Sequence, residues 1–138
     1  MKKKILIVSA NYYKDIAKGL ISNAMKLIPK TNKVKIIEVP GTFEIPTVIS
    51  RNINKYDAFL ALGCVIKGKT PHFDFISQAS INAIMHLSIT SKKPIGNGII
   101  TCLNMSQAKA RKIKGAEAAK AVTSILSLKW ELTLIQKI

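Results

Sequence analysis

Apolar residues along this chain fall into two alternating rhythms. Short continuous runs of β-branched and other apolar residues occur at Ile5 to Val8, Val34 to Val39, Ala58 to Ile66 and Ile95 to Thr101, with the length and composition of buried strands. A stretch with helical spacing follows each run. In the first, Ile16, Leu20, Ala24 and Leu27 or Ile28 share a face; the second follows Pro40-Gly41; the third carries Ile76, Ala79, Ala83 and Leu87 on one stripe. The last, Ser106 to about Trp130, is Ala-rich with an interruption at Gly115. This alternation predicts parallel βα units, hence an α/β protein with a doubly wound four-stranded sheet flanked by helices.

Turn signals at Pro29-Lys30-Thr31-Asn32, Asn52-Ile53-Asn54-Lys55 and Ser91-Lys92-Lys93-Pro94 each precede a strand, and no linker, repeat or low-complexity segment interrupts them. One domain over residues 1–138 is expected. Ligands of such sheets bind outside the carboxyl ends of the strands, which gathers Ala10 to Tyr13, Pro40 to Glu44, Lys67 to Asp74 and Thr101 to Asn104 at one edge.

Size and composition narrow the class. A chain of 138 residues with 48% hydrophobic content can bury roughly two-thirds of its extended-chain surface in one core. No apolar run reaches the ~18 residues that span a bilayer, and the run after Met1-Lys2-Lys3-Lys4 is too short for a signal peptide. A soluble, cytoplasmic protein without a membrane partner is expected. Cys64 and Cys102 show no metal-ligand spacing, so no metal is expected, and buried thiols suit a reducing compartment. The net charge of +15 concentrates anionic partners without choosing among them. The lysines are dispersed and aromatic residues make up only 6%, which favours a solvated surface over a nucleic-acid footprint.

The segment from Ala61 to Asp74 carries the most chemistry. An apolar strand runs into Lys67-Gly68-Lys69-Thr70, where a glycine, cations and a hydroxyl meet a helix start and suit an anion. Gly63, Gly68, Lys69 and Thr70 satisfy the letters of a P-loop, but the residues between the glycines read as strand, and a strand interior cannot wrap a triphosphate. His72 follows as a proton-transfer group or a structural hydrogen-bonding residue. Asp74 either orients it or serves the helix dipole. His86 lies mid-helix with no acidic or thiol neighbour one turn away, which favours a surface or packing role. Pro40-Gly41-Thr42-Phe43-Glu44-Ile45-Pro46 forms a second strand-to-helix turn, where Glu44 either favours the helix dipole or joins exposed amides in binding a polyol. Tyr12 and Tyr13 offer a face for stacking a heterocycle or for packing. Arg111 and Lys114 adjoin Gly115 as solvated cations or as a basic pair.

With these residues in place, the sequence resembles the lumazine synthase family over nearly its whole length. The resemblance rests on Val39 to Pro46, on Tyr56-Asp57-Ala58 together with Ala61 to Asp74, and on Lys114-Gly115-Ala116-Glu117-Ala118-Ala119. It implies a flavodoxin-like three-layer α/β/α sandwich. It also implies condensation of 5-amino-6-(ribitylamino)uracil with 3,4-dihydroxy-2-butanone 4-phosphate to 6,7-dimethyl-8-ribityllumazine, with loss of phosphate and without metal or organic cofactor. Carried over by motif position, His72 transfers protons and Gly68, Lys69 and Thr70 hold phosphate. Gly41, Thr42, Phe43 and Glu44 contact the ribityl chain, Tyr12 stacks on the pyrimidine, and Val65, Ile66 and Lys67 line the substrate site. Asn97, Arg111 and Lys114 complete it, Arg111 as the phosphate-binding arginine supplied by a neighbouring subunit.

This chain departs from the family pattern in places. Asn97 stands where many members carry an aromatic, and Lys69 replaces a usually small residue. The segment between Arg111 and Lys114 is shorter than in capsid-forming members, and the first strand begins almost at once. The resemblance therefore implies a homopentamer, or a pair of them, rather than a capsid shell, with substrate sites between subunits.

Overall fold

The four strands predicted from the apolar runs pair into one parallel sheet. A computed structural model of the chain describes residues 2–128. Its strands are β1 (Lys4–Ala10), β2 (Lys33–Val39), β3 (Ala58–Ile66) and β4 (Ile95–Cys102), and its helices are α1 (Lys14–Leu27), α2 (Ile45–Arg51), α3 (His72–Ser91), α4 (Met105–Ala110) and α5 (Lys114–Leu126). The expected end of the last helix near Trp130 lies outside the described residues. The strand order is β2-β1-β3-β4, the doubly wound arrangement of the flavodoxin-like class.

Alternation along the strands builds two cores. Ile5 and Ile7 of β1 and Leu60 and Leu62 of β3 meet Ile16, Leu20 and Ala24 of α1 and Ala118, Ala119 and Val122 of α5. On the other face, Leu6, Val8, Phe59 and Ala61 meet Ile45 and Ile49 of α2 and Ile84 of α3. Each large side chain wholly removed from water contributes ~1.5–3 kcal/mol, so both helical layers are held by the sheet. β1 and β3, the central pair, are buried nearly throughout, whereas β2 is largely exposed at its edge.

Two expectations need correction. Gly115 does not interrupt the last helix: the break is the turn between α4 and α5, at residues 111–113, and Gly115 sits buried in the first turn of α5. A Cβ there would strike the Leu20 carbonyl oxygen, so glycine lets α5 close on α1. The stripe on α3 is also displaced. The buried residues are Ser77, Ser80 and Ile84; Ile76, Ala83 and Leu87 are only partly buried and Ala79 is exposed. The small serines admit close packing near the sheet's carboxyl edge, and Ser80 Oγ donates to the Thr42 carbonyl oxygen at 3.4 Å.

Candidate active site

The loop after β2 is shaped by its own side chains. Gly41, in extended backbone, precedes a 3₁₀ turn at Thr42–Glu44 that leads into α2, with Pro46 in the helix's first turn, where its missing N–H costs nothing. The Glu44 carboxylate accepts the Gly41 N–H at 3.0 Å, so it has a local structural use. Thr42 is buried and lies over Gly63 of β3, where a Cβ would meet the Thr42 methyl and Ala10. Gly63 is thus a packing requirement of this turn and not part of a phosphate loop. Phe43, 58% exposed, projects from the same turn. The loop after β1 is joined to it: the Asn11 N–H donates to the Val39 carbonyl oxygen at 2.9 Å. Tyr12 is 75% exposed and rests edge-on against Tyr13, ring centroids 4.9 Å apart.

The β3–α3 connection occupies the same carboxyl edge. Val65 and Ile66 end β3 partly buried, and the Lys67 N–H donates to the Cys102 carbonyl oxygen at 2.8 Å, which anchors the loop's start. Lys67, Gly68, Lys69 and Thr70 are all exposed. The chain makes no steric demand for glycine at residue 68, since a Cβ there would meet nothing within 4 Å. The helix starts at His72, whose N–H donates to Thr70 Oγ1 at 3.4 Å, and whose side chain is exposed. The P-loop alternative fails on this geometry. Residues 63–66 are strand and the helix begins only after Pro71, so no backbone cradle surrounds Gly68-Lys69-Thr70.

Asn97, Arg111 and Lys114 lie elsewhere. They share an open cleft of about 470 Å³ along β4, one of the two edge strands of the sheet, between Ile81 of α3 and Ala110, Ile113 and Glu117 of the α4–α5 region. None of the residues from the loops after β1, β2 and β3 lines it. One Arg111 guanidinium N–H donates to the Thr101 carbonyl oxygen at 3.2 Å, which leaves the rest of the fork for a ligand. Lys114 pairs with Glu117 at 3.5 Å, the one ion pair among the described residues. Asn97 Oδ1 accepts the Ile99 N–H at 3.1 Å, so its amide group is the part left to face the cleft. The predicted site residues therefore form two sets: Tyr12, Gly41 to Glu44, Val65 to Thr70 and His72 in one, and Asn97, Arg111 and Lys114 in the other. Sequence reasoning missed Ile81 and Ile113, whose spacing carries no signal for a cleft wall. It also left Glu117 and the Thr101 carbonyl without a role.

Beneath the loops, Cys64 and Cys102 are free thiols on neighbouring strands of the α1/α5 face. Burial, and then the proximity of Cys102, push the Cys64 thiol up from 9.0 to about 12. Tyr13 is raised for similar reasons, burial first and then Cys64 and Tyr12. No cluster of three or more His, Cys, Asp and Glu residues among the described residues could hold a metal ion. A larger cleft, about 970 Å³, lies away from all of these residues, lined by Lys3, Asp57, Ile89, Lys93, Ile125 and Leu128 among others. Lys3, Asp57 and Pro94 directly precede β1, β3 and β4, so this cleft lies at the amino ends of the strands, opposite the edge where ligands of such sheets bind.

A parallel α/β sheet whose β3–α3 loop sets exposed Lys67, Lys69 and His72 at the carboxyl edge belongs to the class of α/β proteins that bind small ligands at that edge. The sequence profile of the 6,7-dimethyl-8-ribityllumazine synthase family matches residues 2–129. Proteins named 6,7-dimethyl-8-ribityllumazine synthase are similar throughout. That of Agrobacterium fabrum is 40% identical over 95% of this chain and 97% of its own length. That of Methylorubrum populi is 40% identical over 91% and 82%, and that of Bartonella tribocorum 39% identical over 94% and 93%. The chain belongs to the 6,7-dimethyl-8-ribityllumazine synthase family.

Proposed function

We propose that this enzyme condenses 5-amino-6-(D-ribitylamino)uracil with 3,4-dihydroxy-2-butanone 4-phosphate to give 6,7-dimethyl-8-ribityllumazine, phosphate and water, a step of riboflavin biosynthesis. The observation that carries the reading is the meeting of the Pro40 to Pro46 turn with the Lys67 to Asp74 loop at one sheet edge, in a chain that belongs to the family. In this reading residues 1–138 act as one domain. Tyr12 stacks on the pyrimidine, Gly41 to Glu44 bind the ribityl chain, and Val65 to Lys67 line the floor. The 5-amino group of the uracil adds to the butanone carbonyl and water leaves to form an imine; phosphate is then eliminated from the carbon chain, the enol left behind becomes a ketone, and the ribitylamino nitrogen adds to that ketone and expels a second water as the ring closes. His72, exposed and free to rotate, moves the protons of these steps. Gly68, Lys69, Thr70 and Arg111 hold the phosphate and stabilise the charge it carries away, with Lys114 and Asn97 beside them. Holding two substrates together supplies much of the acceleration, because it replaces a bimolecular encounter by an oriented one.

The separation of Arg111, Lys114 and Asn97 from the other set supports a site shared by two copies of the chain. An apolar face supports the same assembly: Phe75, Met85 and Ile89 of α3 are 68%, 59% and 67% exposed, more than a surface helix leaves uncovered without a partner. A homopentamer with its active sites between neighbours satisfies both. The reading takes the enzyme to be cytoplasmic, supported by its two free buried thiols. No helix among the described residues is long and apolar enough to cross a membrane. Purified protein mixed with both substrates must form the coloured lumazine faster than the spontaneous condensation; a rate equal to the spontaneous one refutes the function.

A further inference from the structure

Helix α4 is six residues long and buries only Ala108, far short of the length or packing that makes a helix stable by itself. Two side chains hold its start. Asn104, in extended backbone as the N-cap, accepts the Gln107 N–H on Oδ1 at 2.9 Å. Gln107 reaches back, and its Oε1 accepts the Leu103 N–H at 2.8 Å. The pair forms a reciprocal capping box displaced by one residue. The other end of the same short helix is Arg111, whose N–H donates to the Ala108 carbonyl oxygen at 3.1 Å and whose guanidinium returns to Thr101. The segment from Thr101 to Arg111 is thus a small loop whose two ends are joined by the arginine and whose interior is braced by the box.

We propose that Asn104 and Gln107 are positioning residues for the Arg111 guanidinium: the box fixes where α4 begins, and the length of one rigid turn and a half then fixes where the arginine stands. This rests on the reading of Arg111 as the phosphate-binding group. The signal was present in the sequence as Asn104-Met105-Ser106-Gln107, a cap-and-return spacing ahead of an alanine-containing segment.

The test uses the full chain with Gln107→Leu, which keeps size and removes the acceptor, and Gln107→Glu, which keeps an oxygen for Leu103. Gln107→Leu raises KM for the phosphorylated substrate about fivefold, the factor that loss of a cap represents, and leaves KM for the uracil substrate unchanged. Gln107→Glu restores most of the loss. Added to Arg111→Ala, Gln107→Leu raises that KM no further, because the two act through one group. An equal rise in both KM values, no rise at all, or a full additional rise in the Arg111→Ala background overturns the proposal. Amide exchange separates it from the assigned reaction. Should the wild type lack activity, Gln107→Leu must still speed exchange in residues 103–112 while β3 keeps its protection, and unchanged exchange there overturns the positioning role.

Discussion

At the residue scale, the chemistry rests on side chains that the fold leaves free and on others it ties down. His72 is exposed at the mouth of α3, so His72→Ala removes the proposed proton carrier without opening the core. We expect turnover to fall ~10²-fold, the lower range for general acid–base catalysis, with the melting temperature unchanged; turnover equal to the wild type would remove His72 from the mechanism. Arg111→Ala raises KM for the phosphorylated substrate and leaves the uracil substrate's untouched, as substrate-varied kinetics will show. Cys64 makes a pH prediction. Its thiol keeps its proton in the folded chain up to about 12 and loses it near 9.0 when unfolded, so between those values the unfolded state binds fewer protons and stability falls as pH rises. The contribution is whole below pH 9. Denaturant titrations at pH 8 and pH 10.5 should show a smaller loss in Cys64→Ala than in the wild type; equal losses would place the effect on other groups.

At the element scale, the sequence predicted what depends on local rhythm and missed what depends on neighbours. The run at Ala58 to Ile66 coincides with β3, and the other strands differ from expectation only at their ends, because continuous β-branched runs between turn signals leave few alternatives. The α3 stripe went astray for a physical reason. That helix is apolar on more than one side, so periodicity favoured Ile76 and Ala79 while packing placed Ser77 and Ser80 inward. Gly115 was legible as an exception but not as a contact, since Leu20 is distant in sequence. The grouping of Tyr12, the Thr42 turn and the Lys67 to His72 loop at one edge followed from strand order, whereas the cleft around Arg111 required knowing how α4 and α5 fold back over β4. Gly115→Ala tests the corrected view: the new methyl meets the Leu20 carbonyl, and we expect a destabilisation of about 1–3 kcal/mol, typical of overpacking. Stability equal to the wild type would show that α1 and α5 are not in close contact.

At the scale of the whole molecule, the proposed site residues fall in two separate sets on one chain, and α3 carries an uncovered apolar face. Association answers both. The charge of +15 is met by a single ion pair among the described residues, and a net charge of that size draws anionic ligands at low ionic strength. Only a few of those cations are among the proposed site residues. If α3 is the contact between copies, Ile89→Lys, at a position 67% exposed in the isolated chain, yields folded monomers by sedimentation that have lost activity. A fully assembled, fully active variant would move the interface elsewhere. The most direct test of the central claim is the condensation itself, followed by absorbance of the lumazine with both substrates present. The account predicts a rate proportional to enzyme concentration, above the spontaneous reaction and dependent on the phosphorylated substrate; a rate no greater than the spontaneous one at every enzyme concentration would contradict it.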